Sequence, residues 1–258
     1  TSSLMMLDGW TWEDATLKHP VGLHLIWPSM KVPKKDKEKE DKTEKDTRLK
    51  SIQKIDELIQ ESRAYLKLKE SESVSFKHDL RLEGMLPVLL GDIPIFIHAN
   101  EVRQIEAAVY WADRQNLEMV LVGGKDSWRT TSLLKEREIP VIYTQTHSNP
   151  IRRFENYDQT FTTPFQLYEA GVKFCISNSE SSFQTPHIRN LPYYAAKAAS
   201  YGLPWEEALR SITLSTAEIL GVEESVGSLD AGKDATFFIA NGDILDIRTQ
   251  VERAYIQG

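Results

Sequence analysis

The chain has 258 residues, 41% of them hydrophobic, and a formal charge of −7 from 31 basic and 38 acidic side chains. This composition is typical of a domain with a sizeable core, and it excludes a broad nucleic-acid surface, which needs a dominant basic face. A single cysteine, Cys175, excludes an internal disulfide and a cysteine-rich zinc site. No apolar run approaches the roughly 20 residues that span a bilayer. We therefore expect no nucleic-acid partner and no membrane span.

The first part of the chain shows little regular periodicity. Residues 1–30 are rich in tryptophan and read as irregular, with the tryptophans as packing residues. Residues 33–48, PKKDKEKEDKTEKDTR, carry no apolar side chain, and their mixed signs predict a solvated loop or helix extension. From Leu49 to Leu68 apolar residues recur at helical spacing. This stretch predicts an amphipathic helix that packs on the outside of the domain.

The middle of the chain alternates between apolar runs and segments of helical character. The runs are Ile93 to Ile97, Met119 to Val122, Pro140 to Tyr143 and Val172 to Ile176. Runs that are apolar throughout suit strands buried on both faces, and the alternation implies parallel strands with right-handed crossovers. We predict an α/β fold with four consecutive β/α units. This is half of an eight-stranded barrel, which usually needs about 250 residues.

Capping and turn residues predict where the helices begin and end. Asn100 is placed to cap a helix over 101–116, and Asp126 to cap one that begins near Ser127. Thr163 and Pro164 predict the start of a helix that ends at Gly171. Two further helices are expected over 192–201 and 204–212.

Short apolar runs near the C-terminus, Ala235 to Ala240 and Arg253 to Ile256, are separated by glycine and aspartate turns. They predict small antiparallel strands. We therefore divide the chain into a partial barrel over 1–221, with a charged insertion near 33–48, and strands of a small β-sandwich over 222–258.

Several stretches carry a family resemblance. They are DLRLEGMLPVLLGDIPIFIHANEVRQIEAA, EAGVKFCISNSESS, RNLPYYAAKAASYGLPWEEALRSITLSTAEILGV and the terminal GSLDAGKDA. They resemble the amidohydrolase superfamily, in a branch related to imidazolonepropionase. The resemblance implies a TIM-type (β/α)8 barrel, of which this chain is the C-terminal part, beside a small β-sandwich. It also implies a divalent metal, zinc first, that activates water to hydrolyse cyclic or non-peptide amide C–N bonds of a small molecule.

The family pattern places an HxH pair on the first barrel strand, Lys or Glu on the fourth, His on the fifth and sixth, and Asp on the eighth. His98, which follows IPIFI, fits the fifth place and is the predicted metal ligand. Gly123 and Gly124 stand where the sixth-strand histidine is expected, and Ser179 stands at the place of the aspartate. Two interpretations stay open: a reduced site completed by ligands outside this chain, or a loss of hydrolysis.

Other polar side chains also follow the predicted strands. His147, Asn178 and Glu180 are candidates for acid–base catalysis. Asn100 and Arg189 are candidates for substrate binding, since a guanidinium holds an anionic group by paired hydrogen bonds. The alternative for each is a structural role, as a helix cap, an ion pair or a water-satisfied loop residue.

Three functions compete. The first is a metal-dependent amidohydrolase, and the second is a non-catalytic relative that serves as a binding or assembly module, suggested by Gly123 and Ser179. The third is an N-terminal nucleophile hydrolase that uses Thr1 and its own amine. Such enzymes have antiparallel layers, which conflicts with the β/α alternation.

Half a parallel barrel leaves strand edges and an apolar inner face open. We therefore expect a partner that covers them: a missing N-terminal segment of the same protein, or a second copy in a homo-oligomer. The metal can be absent from this chain alone for the same reason, because ligands of the other strands are needed. The sequence leaves the cellular compartment undecided.

Overall fold

The computed structural model describes residues 1–31, 38–71, 77–178 and 185–258, with residues 38–46 described by their backbone only. Its main sheet has six strands in chain order. They are β1 (Ser2–Met5), β2 (Thr16–Ile26), β3 (Ile95–Ala99), β4 (Met119–Gly123), β5 (Val141–Tyr143) and β6 (Phe174–Ile176). Strand β1 pairs antiparallel with β2, and β2 to β6 are parallel.

Helices cover the sheet and connect its strands. They are α1 (Trp12–Ala15), α2 (Glu38–Glu70), α3 (Leu80–Glu83), α4 (Leu86–Leu90), α5 (Val102–Gln115), α6 (Thr131–Glu136), α7 (Gln159–Glu169), α8 (Leu191–Ser200), α9 (Trp205–Ser211) and α10 (Leu214–Leu220), with 3-10 helices at Ser127–Arg129 and Thr185–Asn190. Strands β7 (Phe237–Ala240) and β8 (Val251–Tyr255) form a separate antiparallel pair. In the described ranges, no helix is both long and apolar enough to cross a bilayer.

The predicted α/β class is confirmed. The four expected β/α units appear as β3 to β6 with their following helices, in a parallel half-barrel, and the small antiparallel sheet follows α10. A parallel sheet of this kind contradicts the antiparallel layers that an N-terminal nucleophile hydrolase needs. The predicted amphipathic helix over 49–68 is the second half of α2, which begins within the charged run at Glu38.

Side chains of the parallel strands alternate between two buried layers. On the helix side, Ile95 and Ile97 of β3 join the large core that α5 and α2 cover. On the other side, Phe96 of β3 and Cys175 of β6 form a smaller inner cluster with Ile219 of α10. Burial raises the pKa of the Cys175 thiol to about 12, which fits a strand filler and not a nucleophile.

The interpretation of residues 1–30 as irregular is wrong, because this stretch contains the hairpin of β1 and β2. Its signal is the two-residue period in GLHLI: Leu23 and Leu25 pack on the helix-side core, whereas Gly22 and His24 face the inner side, where Phe96 lies. The polar residues and proline of 16–20 hide that period in the sequence. The hairpin places β2 as a fifth parallel strand beside β3.

The predicted start of a helix at Thr163 is also wrong, since α7 begins at Gln159 and contains Pro164. A proline inside a helix donates no hydrogen bond, which leaves the carbonyl four residues earlier, that of Thr160, without its helical partner. The buried Tyr143 hydroxyl donates to that carbonyl at 2.9 Å. A tertiary contact therefore stabilises the helix across its proline, and the burial raises the pKa of Tyr143.

Candidate functional site

The parallel strands bring two histidines together on the inner face of the sheet. His24 of β2 and His98 of β3 lie on neighbouring strands, near the carboxyl edge where all five parallel strands end. Nδ1 of His24 lies 2.8 Å from Nε2 of His98, and the ring centroids are 5.1 Å apart. His98 is half-buried, whereas His24 is exposed. The pair is one hydrogen-bonded unit whose direction depends on the ring tautomers.

These histidines line a cleft of about 280 Å³ on the inner face, which we call the histidine cleft. Its other polar wall groups are Thr144, Ser177 and Asn178, at the ends of β5 and β6, and Ser2 and Ser3 of β1. Phe96 and Val122 form part of its apolar wall. Of the predicted site residues, His98 and Asn178 are thus brought together.

Sequence reasoning missed His24. The residue lies within 1–30, where no continuous apolar run marks a strand that could carry it to the barrel mouth. The period of GLHLI is the available signal, because it places His24 on the face opposite Leu23 and Leu25. By strand order, β2 takes the fourth barrel place when β3 is the fifth.

His147 lies on the loop after β5 but is not among the residues that line the histidine cleft. Its ring packs at 4.5 Å from the ring of Tyr194 and 6.3 Å from that of Phe161. Partial burial, and next the charge of Lys197, lower the pKa of His147. The imidazole is therefore neutral at pH 7. The predicted catalytic role of His147 stays a prediction.

Asn100 does not cap α5 as predicted. Glu101 is the residue before the helix, and the N–H of Val102 donates to Oδ2 of Asp126 at 3.1 Å. The Asn100 side chain instead turns toward β4, where its Oδ1 accepts from the Lys125 N–H at 3.3 Å. Asp126 likewise makes no cap bond to the helix at Ser127. The N-terminal N–H of α5 is thus hydrogen-bonded by Asp126, in the loop after the next strand. A capping pattern in the local sequence does not reveal such a contact.

Of the remaining predicted site residues, one lies away from the histidine cleft and one falls outside the described ranges. Arg189 is exposed, in the 3-10 helix Thr185–Asn190, and does not line the cleft. Glu180 falls outside the described residues, as does Ser179. Their predicted roles therefore stay predictions.

The sixth-strand place, Gly123, disfavours a side chain. Gly123 ends β4 with φ 96°, and a Cβ at this position would lie 2.7 Å from Oδ1 of Asn100. That separation is shorter than a carbon–oxygen contact, and the backbone angle disfavours any L side chain. A side chain at this place therefore needs a strained backbone angle and a shift of the Asn100 side chain.

A buried ion pair lies between the loops after β4 and β5. The Arg152 guanidinium donates to both carboxylate oxygens of Asp126, at 3.0 and 2.6 Å, and also pairs with Glu155. Asp126 is only 1% exposed. Its hydrogen bonds raise the pKa of Arg152 above the usual range, so the guanidinium stays charged. Sequence reasoning missed this cluster because the partners are 26 residues apart.

A larger cavity of about 670 Å³ lies at the opposite edge, where the strands begin. Its rim carries Lys18, whose ammonium donates to the carbonyls of Leu220 and Gly221, and Lys173, which pairs with Glu218. Catalytic groups of barrel enzymes sit at the carboxyl ends of the strands. Position therefore favours the smaller histidine cleft as the functional site.

The histidine cleft fits part of a metal site. Tetrahedral zinc with Zn–N distances of about 2.0–2.1 Å holds two imidazole nitrogens roughly 3.3 Å apart, so a small opening of the His24–His98 pair, now at 2.8 Å, suffices. Catalytic zinc uses three protein ligands. In the parts of the chain that the structure describes, no group of three or more His, Cys, Asp or Glu side chains is arranged to hold a metal. The histidine cleft therefore supplies two imidazole ligands, His24 and His98.

Comparisons with known proteins agree with this architecture. Residues 166–256 match the Amidohydrolase family. An imidazolonepropionase from Shewanella sp. (strain ANA-3) is 35% identical over 92 residues, 36% of this chain and 21% of that protein. Amidohydrolase tasK from Hapsidospora irregularis is 28% identical over 110 residues, 43% of this chain and 11% of that protein.

The crystal structure of an amidohydrolase from Thermotoga maritima MSB8 superposes with a TM-score of 0.83 at 26% identity, covering 99% of this chain and 66% of that one. The chain thus spans just under two thirds of that structure and matches about a fifth or less of the length of the two curated relatives. The match extends over the half-barrel and the small antiparallel sheet alike. On sequence over residues 166–256, and on structure over nearly the whole chain, this chain is similar to proteins of the amidohydrolase superfamily.

Proposed function

We propose that this chain forms part of a metal-dependent hydrolase that cleaves C–N bonds of cyclic or non-peptide amides. The observation that carries the proposal is the His24–His98 pair, at 2.8 Å, in a cleft on the inner face of the half-barrel. Similarity to imidazolonepropionases supports a small cyclic substrate. A cleft of about 280 Å³ is in keeping with a small molecule.

The residues of the cleft have separate roles in this proposal. His98 and His24 would hold a divalent ion, zinc by first choice because imidazole suits it, although imidazole also accepts copper, iron and nickel. When bound, such an ion lowers the pKa of a water toward 7 and polarises the amide carbonyl. Asn178 and Thr144 line the same cleft and would orient the substrate by hydrogen bonds. Phe96 and Val122 exclude water from its apolar wall.

A second candidate is a non-catalytic relative that binds a ligand without turnover. The observation in its favour is Gly123, where the backbone angle and the Asn100 side chain both disfavour the sixth-strand histidine of the family pattern. A binding module of this kind keeps the cleft and its affinity for small cyclic amides. It shows no hydrolysis with any divalent metal, and this separates it from the first candidate.

Metal analysis of the full-length protein tests the first proposal. We expect one or two divalent ions per chain after dialysis, and their loss in the His98→Ala variant, because His98 supplies a nitrogen ligand. Elemental analysis by plasma mass spectrometry measures both. The matched control is His147→Ala, which removes an imidazole outside the cleft and should keep the metal. A metal-replete preparation with no bound ion, or a His98→Ala variant that keeps it, contradicts the proposal.

We also propose that a second copy covers the open side of the half-barrel whenever these 258 residues stand alone. Ile26 at the end of β2 is 80% exposed, and β6 pairs, among the described strands, with β5 alone. Exposed strand edges and apolar side chains favour association. Light scattering on these residues alone should give the mass of a dimer or a larger assembly. A monomer that leaves a hydrophobic dye unbound would rule this out.

A further inference from the structure

We infer that Arg152 is a positioning residue, whose buried ion pair with Asp126 locks the loops after β3, β4 and β5 together and so holds the backbone beside His98. Arg152 does not line the histidine cleft, so it acts through other residues. Its relevance to catalysis rests on the proposed function. The clamp itself, which we define as Arg152, Asp126 and Glu155, does not.

Arg152 and Asp126 form a bidentate ion pair. Nη1 of Arg152 lies 3.0 Å from Oδ1 of Asp126, and Nη2 lies 2.6 Å from Oδ2. Two parallel charge-assisted bonds fix the orientation of both groups. Asp126 is 1% exposed and the Arg152 side chain 25% exposed, so the carboxylate is shielded from solvent while the guanidinium pairs with it. A buried carboxylate that loses its paired cation is strongly destabilised, which ties the position of Asp126 to Arg152.

Hydrogen bonds connect Asp126 and its loop to the segment that follows β3. Its Oδ2 accepts from the N–H of Val102, the first residue of α5, and its own N–H donates to the Asn100 carbonyl at 2.8 Å. The Gly124 N–H donates to the carbonyl of Ala99 at 2.9 Å, and Ala99 directly follows His98. The segment after His98 is therefore held by the loop that Asp126 anchors.

Glu155 connects the loop after β5 to the same ion pair. A Glu155 carboxylate oxygen accepts from the N–H groups of Ile151 and Arg152, at 2.8 and 3.1 Å, while its other oxygen pairs with the Arg152 guanidinium. This loop begins at Thr144, which lines the histidine cleft. The clamp thus joins three consecutive strand ends, each of which supplies a cleft residue: His98, Val122 and Thr144.

Positioning explains this cluster better than stability does. A buried ion pair is a weak source of stability, since well-packed apolar side chains often serve as well. What a two-pronged buried pair does supply is a fixed geometry, and catalytic groups must be held within about 0.5 Å of their working position. The cluster stands at the strand ends, where such geometry matters.

Amide hydrogen exchange measured by NMR tests the clamp without any metal or substrate. In Arg152→Met we expect the amides of Val102 and Asp126 to exchange at least tenfold faster, relative to a buried amide in the middle of α5. We also expect the ring signals of His98 to shift at constant pH. Arg152→Lys keeps the charge but loses the second prong, and should give an intermediate rate.

The matched control is Arg137→Met, which breaks an exposed 3.0 Å pair between Arg137, the residue after α6, and Asp113 of α5. It should leave Val102 and His98 unchanged. If Arg152→Met speeds exchange only within residues 146–158, the clamp does not reach His98 and the inference fails. Should Arg152→Met not fold, the double variant Asp126→Asn, Arg152→Met removes both charges, and it must still show the tenfold effect at Val102. Because these readouts need no activity, they stand or fall separately from the proposed hydrolase.

Discussion

Gly123→His should destabilise the protein by roughly 2–6 kcal/mol, although it restores the residue that the family pattern has at this place. A non-glycine residue held at φ 96° costs about 1–3 kcal/mol in backbone strain. The new Cβ would also lie 2.7 Å from Oδ1 of Asn100, and forcing extra atoms into a packed site costs about 1–3 kcal/mol more. Urea unfolding of the variant and the parent protein measures the difference.

Gly232→His is the matched control. Gly232 has φ 99° but nothing within 4 Å of its Cβ position, so this variant reports the backbone strain without the clash. Asn100→Ala in the Gly123→His background should recover part of the loss, since it removes the oxygen that the new side chain meets. A Gly123→His protein as stable as the parent, or with restored metal ligation, would show that the loop rearranges freely. Local packing would then not explain why this position lacks a histidine.

The parallel sheet is predictable because its strands carry their own signal. Continuous apolar runs such as that at Met119 to Val122 are buried on both faces, and this burial is what the composition of the run records. Strand β2 has no such run, since its first half extends past β3 and pairs only with β1. Helix α7 likewise depends on a contact from Tyr143 that no local pattern contains.

The candidate site is predictable only where a residue follows a recognisable strand. His98 and Asn178 satisfy that condition, and both line the cleft. His24 is hidden with its strand, and the pairing of Asp126 with Arg152 joins loops that are distant in sequence. The same rule also predicts His147, but its ring packs against Tyr194 and Phe161. The order of the strands predicts at which edge of the sheet the site lies. Which side chains at that edge line the cleft depends on tertiary packing.

His24→Ala should lower the affinity for a divalent ion by more than about 100-fold in a protein that binds one. Loss of an orienting partner of a metal-bound histidine costs about 10–100-fold, and loss of a ligand costs more. We expect the larger effect because Nδ1 of His24 and Nε2 of His98 face each other at 2.8 Å across one cleft. Titration with cobalt(II), followed by its visible absorption, measures the affinity and reports a change of coordination.

Two comparisons decide what His24 does. His147→Ala removes an imidazole whose ring lies against Tyr194, outside the cleft, and should change the affinity less than twofold. His24→Gln keeps a hydrogen-bonding group for His98 but offers no imidazole nitrogen, so it should fail as completely as His24→Ala if His24 is a ligand. If His24→Gln instead restores binding to within tenfold of the parent, His24 only orients His98. The ion would then be held by His98 together with groups from outside the described cleft, because His24 is the only other imidazole among the residues that line it.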